Sequence, residues 1–390
     1  MFDLDVPDTV PSRPWATSFE ERRRQLTGRQ YRIAFYYGLA PDNGTFRYRI
    51  SNMVNALNRT GGTMAAACFY YSDLDRLAEL VDVIDTLVIC RGKYSPQLGH
   101  VITVARNKGK NIIFDIDDLM FDPRYMHLVL RTADADYSRF TQEEVWQYWY
   151  GDCARYAATM FLCDRVVTTN SYLAQKIRDF SGKEVFVVPN YLNDEQLKFS
   201  AKIFRQKNDH DFTRHGPVYL GSFSGSHTHN HDFRILTDSL TILFEKYPNL
   251  KLRVVGMLDL DARLGPWTDR IERLPVQNYL NLQKYIGEVE INLVPLQVNT
   301  FTNCKSELKY FEAAIVGTPS IASPTHVYTH AIQDGHNGYL SNSYEWLDKI
   351  DAVLSNTDHY KELSRNACSH AIQQYAWHNL TSVIEKAYLF

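Results

Sequence analysis

The sequence predicts two α/β domains in tandem, each a Rossmann-like, doubly wound parallel sheet. With 390 residues, the chain is too long for one comfortable hydrophobic core and should contain two domains. Short β-branched or aliphatic runs alternate with amphipathic segments, which is the signature of βαβ units around a parallel sheet. A polar, weakly periodic segment at 196–216 divides this alternation into two series, and we expect it to be the interdomain linker.

The first series defines an N-terminal domain at 31–195, preceded by a polar leader at 1–30. Its predicted strands begin at Tyr31, Met64, Thr86, Asn111, Arg165 and Val185. Residues 122–163 interrupt the rhythm with aromatic and charged side chains. They are predicted to be a helical insertion after the fourth strand, and an insertion at the end of a parallel strand lies beside the functional crevice.

The second series defines a C-terminal domain at 217–375. Its predicted strands begin at Val218, Lys251, Ile291, Pro319 and Gly338. The helices between them are better defined than in the first series, because their apolar residues recur at helical spacing. The last segment, 376–390, is predicted to be a helix that crosses back to the N-terminal domain.

Charge and cysteine usage argue against several functional classes. The sequence has 42 Lys and Arg against 45 Asp and Glu, so its net charge of -3 gives no electrostatic case for nucleic acid as a partner. The six cysteines form no C-x-x-C pair, which indicates neither a structural metal nor a disulfide framework. The sequence contains no G-x-G-x-x-G, which argues against a dehydrogenase.

The N-terminal segment lacks the pattern of a secretory signal. No positively charged region precedes an apolar stretch, and no apolar run reaches the roughly 18 residues of a membrane-spanning helix. We therefore expect a cytoplasmic protein. Arg22, Arg23, Arg24 and Arg29 would suit peripheral contact with the inner face of a membrane, and a solvated leader is the alternative that we favour.

The most informative segment is 303–323, NCKSELKYFEAAIVGTPSIAS. Its apolar residues fit one face of a helix, while Lys305, Lys309 and Glu312 share a separate stripe at i, i+4 and i+7. We expect the helix to begin at 303–306, at the carboxyl end of the preceding strand, where free backbone N–H groups favour a phosphate. A surface helix with a stripe of charges is the alternative.

Several motifs in this order along the chain resemble one known family. The run that begins at Glu312 is similar to the E-A-x-x-x-G-x-P signature of the retaining GT-B glycosyltransferases grouped as family four. The run from Asp334 resembles their D-G-x-N-G-x-L, and the VVPN that ends at Asn190 resembles their V-x-P-N. The loop from Gly221 is similar to the glycine loop of a bacterial polysaccharide and O-antigen subgroup.

The resemblance implies a GT-B architecture, in which the two domains face a central cleft. It implies that Glu312 binds the donor ribose and that the lysines and Ser306 lie near the diphosphate. Family members usually carry a second acid at the position of Cys304. The neighbouring Asn303 is our candidate to replace this acid, on the ground of reach alone. The predicted catalytic residues are Lys305, Lys309 and Glu312, and the predicted donor-binding residues are Gly221, Ser224, Gly225, Ser226, His229, Gly256, Asn303, Ser306 and Glu312.

The predicted acceptor side lies in the first domain. Arg47 and Arg49 follow the first strand and suit bidentate hydrogen bonds to an anionic acceptor, with solvated arginines at a helix start as the alternative. Asp115, Asp117 and Asp118 end the fourth strand, and one interpretation is a D-x-D metal site. Because that motif belongs to a fold with one nucleotide-binding domain, we prefer acceptor contact for Asp117 and Asp118 and a structural role for Asp115.

The sequence therefore predicts a metal-independent hexosyltransferase without a cofactor. It would move a hexose or deoxyhexose from a nucleoside diphosphate sugar to a hydroxyl of a glycan or lipid-linked acceptor, with retention as the resemblance implies. Two alternatives stay open. One is a sugar-nucleotide epimerase of the same architecture, and the other is a catalytically silent partner subunit, which the missing acid at Cys304 favours.

Overall fold

The computed structural model describes residues 2–59, 62–133, 141–225 and 229–389. In these ranges the strands form two six-stranded sheets, and their pairings are parallel. The predicted pair of doubly wound α/β domains is confirmed. The strands are almost wholly buried apolar runs, because helices cover both faces of such a sheet.

The first sheet has the strand order β2-β1-β3-β4-β5-β6. This order reverses between β1 and β3, so a crevice opens beyond the carboxyl ends of these two strands. The strands are β1 (Tyr31–Tyr37), β2 (Met64–Tyr70), β3 (Thr86–Cys90), β4 (Asn111–Asp115), β5 (Arg165–Thr168) and β6 (Val185–Val187).

The second sheet has the order β12-β11-β10-β7-β8-β9. Its reversal lies between β7 and β10, which places the second crevice beyond Ser224 and Val294. The strands are β7 (Val218–Ser224), β8 (Leu250–Gly256), β9 (Ile271–Leu274), β10 (Ile291–Val294), β11 (Ser320–Ala322) and β12 (Tyr339–Leu340).

Helices cover the faces of both sheets, and α4 and α5 occupy the predicted insertion between β4 and β5. None of the described helices combines the length and the apolar character needed to cross a bilayer. The helices are α1 (Phe19–Arg24), α2 (Asn52–Arg59), α3 (Pro96–Asn107), α4 (Met126–Ala133), α5 (Gln142–Leu162), α6 (Ser171–Ser181), α7 (Asp194–Asp209), α8 (Asn230–Phe233), α9 (Thr237–Lys246), α10 (Tyr279–Glu288), α11 (Thr300–Asn303), α12 (Leu308–Ala314), α13 (His326–Ala331), α14 (Trp346–Ser355), α15 (Thr357–Tyr375) and α16 (Thr381–Tyr388).

Helix α7 occupies most of the segment that we expected to be the linker. Asn193 caps it, because its side-chain oxygen accepts from the backbone N–H of Gln196 at 2.9 Å. Ile203 approaches α10 closely at Gly287, where a Cβ atom would lie 2.4 Å from the isoleucine methyl. The segment is therefore a helix packed on the second domain.

Helix α16 lies on the first sheet. The ring of Tyr388 packs against Phe35 at 5.1 Å between centroids, and its hydroxyl donates to Asp115 at 3.2 Å. Leu192 and Ala376 form a parallel β-bridge. It lies where the chain first passes from the first domain to the second and later returns.

The predicted polar leader is attached to both domains by a few buried apolar side chains, while most of its polar residues are exposed. Phe2 and Val6 are buried in apolar cores of the second domain, and the backbone N–H of Phe2 donates to the Glu288 carbonyl at 3.0 Å. Phe19 packs on Phe69 of the first domain at 5.2 Å between ring centroids. Residues 2–18 therefore cross from the second domain to the first, and we call them the N-terminal strap.

Of the four leader arginines, Arg22 is unavailable for contact with lipid headgroups. Its guanidinium forms a buried, bidentate ion pair with Asp73 at 2.7 and 3.0 Å. A buried guanidinium cannot reach a lipid headgroup. The sequence pattern missed this docking because the apolar residues of the leader follow neither a helical nor a strand period.

Candidate active site

A cavity of about 590 Å³ lies between the two domains at the crevices of both sheets. The strap contributes residues 10–13 to its wall. A site between domains, at the switch points of α/β sheets, is where small-molecule ligands usually bind. The predicted site residues that line it are Arg47, Ser224, Gly225, Gly256, Lys309 and Glu312.

Glu312 lies on α12 and faces this cavity from the second domain. Its side chain is not on an open surface, because the residue is only 6% exposed. The Tyr48 hydroxyl, from the first domain, donates to Glu312 Oε1 at 2.5 Å, and Gln196 Nε2 donates to that hydroxyl at 2.9 Å. Burial raises the pKa of Glu312, and the hydrogen bond from Tyr48 opposes this shift. The surface-stripe alternative is therefore wrong.

The predicted helix is α12, which begins at Leu308, later than the predicted start at 303–306; the separate short helix α11 ends at Asn303. Lys305 and Ser306 lie in the connecting turn, outside the cavity wall, and Lys305 Nζ is 3.8 Å from an oxygen of Asp118. Side-chain amides of the first domain hold this turn. Asn170 Nδ2 donates to the Cys304 carbonyl at 2.9 Å, and Asn190 Nδ2 donates to the Ser306 hydroxyl at 3.0 Å.

Cys304 and Asn303 also point away from the cavity. Cys304 is 0% exposed and packs in the apolar core of the first domain, which raises the pKa of its thiol. Asn303 Oδ1 accepts from the backbone N–H of His326 at 2.8 Å, at the start of α13. Neither residue therefore faces the cavity, where the resemblance implies that the second acid would contact the transferred sugar.

Two of the glycines that were predicted to bind the donor lie where neighbouring atoms leave no room for a Cβ atom. Gly256 has φ 97°, and a Cβ atom there would lie 1.9 Å from the Ser224 carbonyl oxygen, so glycine is required where β7 and β8 end. Gly221 lies inside β7, where a Cβ atom would be 2.6 Å from the Phe223 ring. Gly221 is buried and does not line the cavity, which corrects its predicted donor contact. Ser226 lies outside the described residues.

His229 is paired inside the protein. Its Nδ1 lies 3.2 Å from a carboxylate oxygen of Asp232. Burial, followed by the positive charge of Lys309, lowers the pKa of His229 to about 4. The imidazole is therefore neutral near pH 7, lies outside the cavity wall and adds no positive charge to the site.

Lys309 lines the cavity beside Glu312. Burial lowers the pKa of Lys309 to about 8, although the Asp232 carboxylate favours its charged form. The backbone carbonyl of Lys309 accepts from Asn292 Nδ2 at 3.0 Å, which fixes the first turn of α12 against β10. Near pH 8 a fraction of the Lys309 side chains is therefore neutral, and an anionic ligand beside Lys309 would favour the charged form.

Arg47 and Arg49 have different environments. The Arg47 guanidinium lines the cavity, lies 3.9 Å from the Tyr279 ring centroid and has no hydrogen-bond partner among the described residues. Arg49 is 0% exposed and donates to both oxygens of Asp115 at 2.9 and 2.8 Å and to the Val188 carbonyl at 2.7 Å. The predicted acceptor contact of Arg49 is corrected, because its donors are used inside the protein. Asp115 has the structural role that we expected.

Asp117 and Asp118 also lie outside the cavity wall. Arg91 Nε donates to Asp117 at 2.5 Å, and Thr45 donates to its second oxygen at 3.2 Å. Arg91 also reaches Asp118 at 3.4 Å. Among the described residues no cluster of three or more His, Cys, Asp or Glu side chains could hold a metal. In this structure Arg91 therefore pairs with both aspartates, and neither of them lines the cavity.

Sequence reasoning missed several residues of the cavity. Tyr48 and Tyr279 carry no pattern that distinguishes them from core tyrosines. Arg13 lies in the strap and lines the cavity without a hydrogen bond from its guanidinium to another described residue. The sequence pattern does not indicate Arg13, because it does not predict that the leader packs on the two domains.

The comparisons with known proteins agree with this geometry. Residues 218–356 match the family described as Glycosyl transferases group 1. The matched residues lie in the second domain. The chain is 27% identical over 139 residues to D-inositol 3-phosphate glycosyltransferase of Gordonia bronchialis, a match that covers 35% of this chain and 29% of that protein. The chain thus matches less than a third of that relative's length.

The whole chain has the GT-B fold. It resembles the crystal structure of Anabaena Alr3699/HepE in complex with UDP and glucose, with a TM-score of 0.61 and 13% identity over 91% of this chain and 98% of that one. It is similar also to sucrose-phosphate synthase from Thermosynechococcus elongatus, with a TM-score of 0.59, 14% identity and the same coverage of both chains. In the GT-B arrangement the cavity described above is the cleft between the two domains.

Proposed function

We propose that this protein is a glycosyltransferase that moves a hexose or deoxyhexose from a nucleoside diphosphate sugar to a hydroxyl of a glycan or lipid-linked acceptor. One observation carries the proposal. Glu312 and Lys309 of the second domain line the same cleft as Arg47 of the first domain, whose guanidinium has no hydrogen-bond partner among the described residues. The UDP in the HepE structure supports a nucleoside diphosphate as the leaving group. Retention follows from the family resemblance of the sequence.

The roles of the cleft residues follow from their charges. Negative charge develops on the diphosphate as the sugar leaves, and the Lys309 ammonium stabilises that charge in a partly desolvated site. The Glu312 carboxylate accepts hydrogen bonds from the ribose hydroxyls through the oxygen that Tyr48 does not use. Arg47 binds the acceptor. Closure of the domains around both substrates excludes water, so transfer is favoured over hydrolysis.

A catalytically silent partner subunit is the second candidate function, because Cys304 leaves no carboxylate at the position of the family's second acid. The test is calorimetric titration with UDP, GDP, ADP and dTDP, followed by incubation with the sugar nucleotide of the base that binds. Release of nucleoside diphosphate supports the transferase. Isomerised sugar without release indicates an epimerase, and binding without any turnover, with or without added glycans, indicates the silent subunit.

The affinity for the nucleoside diphosphate is expected to fall as the pH rises through about 8. A diphosphate beside Lys309 favours its charged form, so binding takes up a proton once the pH exceeds the pKa of the free protein. The affinity should fall by up to about tenfold per pH unit above that pKa. Calorimetry in buffers of different ionisation enthalpy measures the uptake. Lys309→Met should bind more weakly and lose the pH dependence, whereas an unchanged profile in this variant would contradict the assignment.

Transfer is expected to continue in EDTA. The proposal gives the diphosphate a lysine, and the carboxylates at the end of β4 are paired with arginines. The measurement is the rate of nucleoside diphosphate release before and after dialysis against EDTA, with and without added Mn²⁺ or Mg²⁺. If EDTA abolished transfer and either ion restored it, a metal would hold the donor. The D-x-D interpretation of Asp115, Asp117 and Asp118 would then be supported.

A further inference from the structure

A second cavity, of about 260 Å³, adjoins the cleft. The two cavities share Ser12, Asn55 and Asn193 in their walls, so they meet at these residues. The second cavity lies beside α2 and the start of α7, where the chain crosses between the domains at Leu192 and Ala376. Its volume equals that of roughly nine water molecules in the liquid, which is the scale of one sugar ring.

The wall of the second cavity combines an indole ring with hydrogen-bonding groups that remain available. Arg59 lies 5.4 Å from the Trp377 ring centroid and pairs with Asp194 Oδ2 at 3.1 Å. Glu195 Oε2 accepts from the Ser12 hydroxyl at 3.1 Å. Among the described residues, no hydrogen bond engages the Asn55 amide, Asp194 Oδ1 or Glu195 Oε1. Carboxylate and amide groups beside an aromatic ring suit the hydroxyls and the apolar face of a sugar.

The charges of the two cavities differ. Among the described residues of the cleft wall, Arg13, Arg47 and Lys309 outnumber the carboxylates Asp42 and Glu312. In the second cavity, the described wall has Arg59 as its cation and Asp194 and Glu195 as its carboxylates, and Lys198 also pairs with Asp194 at 2.8 Å. An anionic group such as a phosphate is therefore attracted to the cleft, whereas the second cavity offers it no excess of positive charge.

We propose that the second cavity is an acceptor subsite that binds a neutral sugar ring of an oligosaccharide. The terminal sugar of that oligosaccharide lies in the cleft, and the chain passes Asn55 and Asn193 so that the next ring rests against Trp377. This inference rests on the proposed function and narrows it, because it makes the acceptor a glycan of at least two sugars with an uncharged ring behind the reacting one.

The test uses the full-length protein, saturated with the nucleoside diphosphate that binds it best, on a printed array of neutral and anionic oligosaccharides of increasing length. The wild-type protein should bind neutral oligosaccharides and not their monosaccharides. Trp377→Ala and Asn55→Ala should each weaken the apparent affinity at least about fivefold, because the first removes the ring on which the sugar rests and the second removes an amide that can hydrogen-bond its hydroxyls. Tyr344→Ala removes a ring that is 80% exposed in the second domain and is the matched control.

Three outcomes would overturn the proposal: no saturable signal on any printed oligosaccharide, equal binding of monosaccharides, or wild-type affinity in both cavity variants. Asn55 is exposed, so Asn55→Ala keeps the test decisive if Trp377→Ala does not fold. Titration with the nucleoside diphosphate separates this inference from the proposed function. If Trp377→Ala keeps nucleotide affinity and loses oligosaccharide binding, the subsite is supported; if the protein binds no nucleotide at all, the transferase proposal fails independently.

Discussion

Glu312→Gln should lower the affinity for the nucleoside diphosphate by about 1 to 3 kcal/mol. The loss arises because the amide oxygen accepts hydrogen bonds from the ribose hydroxyls without the assistance of a full negative charge. The free energy of unfolding should change little, since glutamine keeps the volume and helix propensity of glutamate and its oxygen can still accept from Tyr48. Calorimetric titration of both proteins measures the difference.

Two controls make this measurement specific. Glu245→Gln changes an exposed glutamate of α9, away from the cleft, and should leave the affinity unchanged. Tyr48→Phe removes the hydrogen bond to Glu312 while keeping the carboxylate charge, so it should weaken binding less than Glu312→Gln does. A folded Glu312→Gln protein with wild-type affinity would remove the central residue of the proposed donor site.

Arg49→Met should lower the free energy of unfolding by about 3 to 5 kcal/mol. The substitution leaves the Asp115 carboxylate buried without its cation, and this uncompensated charge is the main cost. Urea unfolding followed by circular dichroism measures the effect. Adding Asp115→Leu to Arg49→Met should restore most of the lost stability, because the double variant has no buried charge to desolvate.

Arg47→Met is the matched control, since it removes an arginine two residues away whose guanidinium faces the cleft. Its cost in unfolding free energy should stay within about 0.5 kcal/mol, while acceptor use falls. If Arg49→Met instead kept wild-type stability and lost acceptor use, Arg49 would not act through its ion pair with Asp115. The prediction from the sequence that Arg49 contacts the acceptor would then be supported.

The sequence predicts the strands well because their signals are local. The five predicted strand starts of the second domain lie within one residue of β7, β8, β10, β11 and β12. The strand that was missed, β9, has a half-buried IERL sequence without a continuous apolar run. Glu312 could be singled out for a similar reason, because its motif is contiguous along one helix.

The parts of the site that could not be predicted depend on contacts between distant residues. Arg49 and Arg47 look equivalent in the sequence, and they differ only because Asp115, 66 residues later, meets one of them. The turn at Cys304 delays the start of the predicted helix, because an amide of the first domain binds the backbone of the turn and the Cys304 side chain fits that domain's core. A periodicity pattern carries no information about such partners.

The N-terminal strap also has a consequence for the order in which the protein can assemble during translation. Phe2 is synthesised well before Tyr360, yet the two rings stack at 6.0 Å between centroids. At a synthesis rate of about 5 to 20 residues per second, Tyr360 follows Phe2 by roughly 20 to 70 s. During this interval Trp15 of the strap can already pack on Phe46 of the first domain, while Phe2 lacks the Tyr360 ring that covers it. The strap, and with it the cleft wall at residues 10–13, can therefore be fixed at both ends only after Tyr360 has been made.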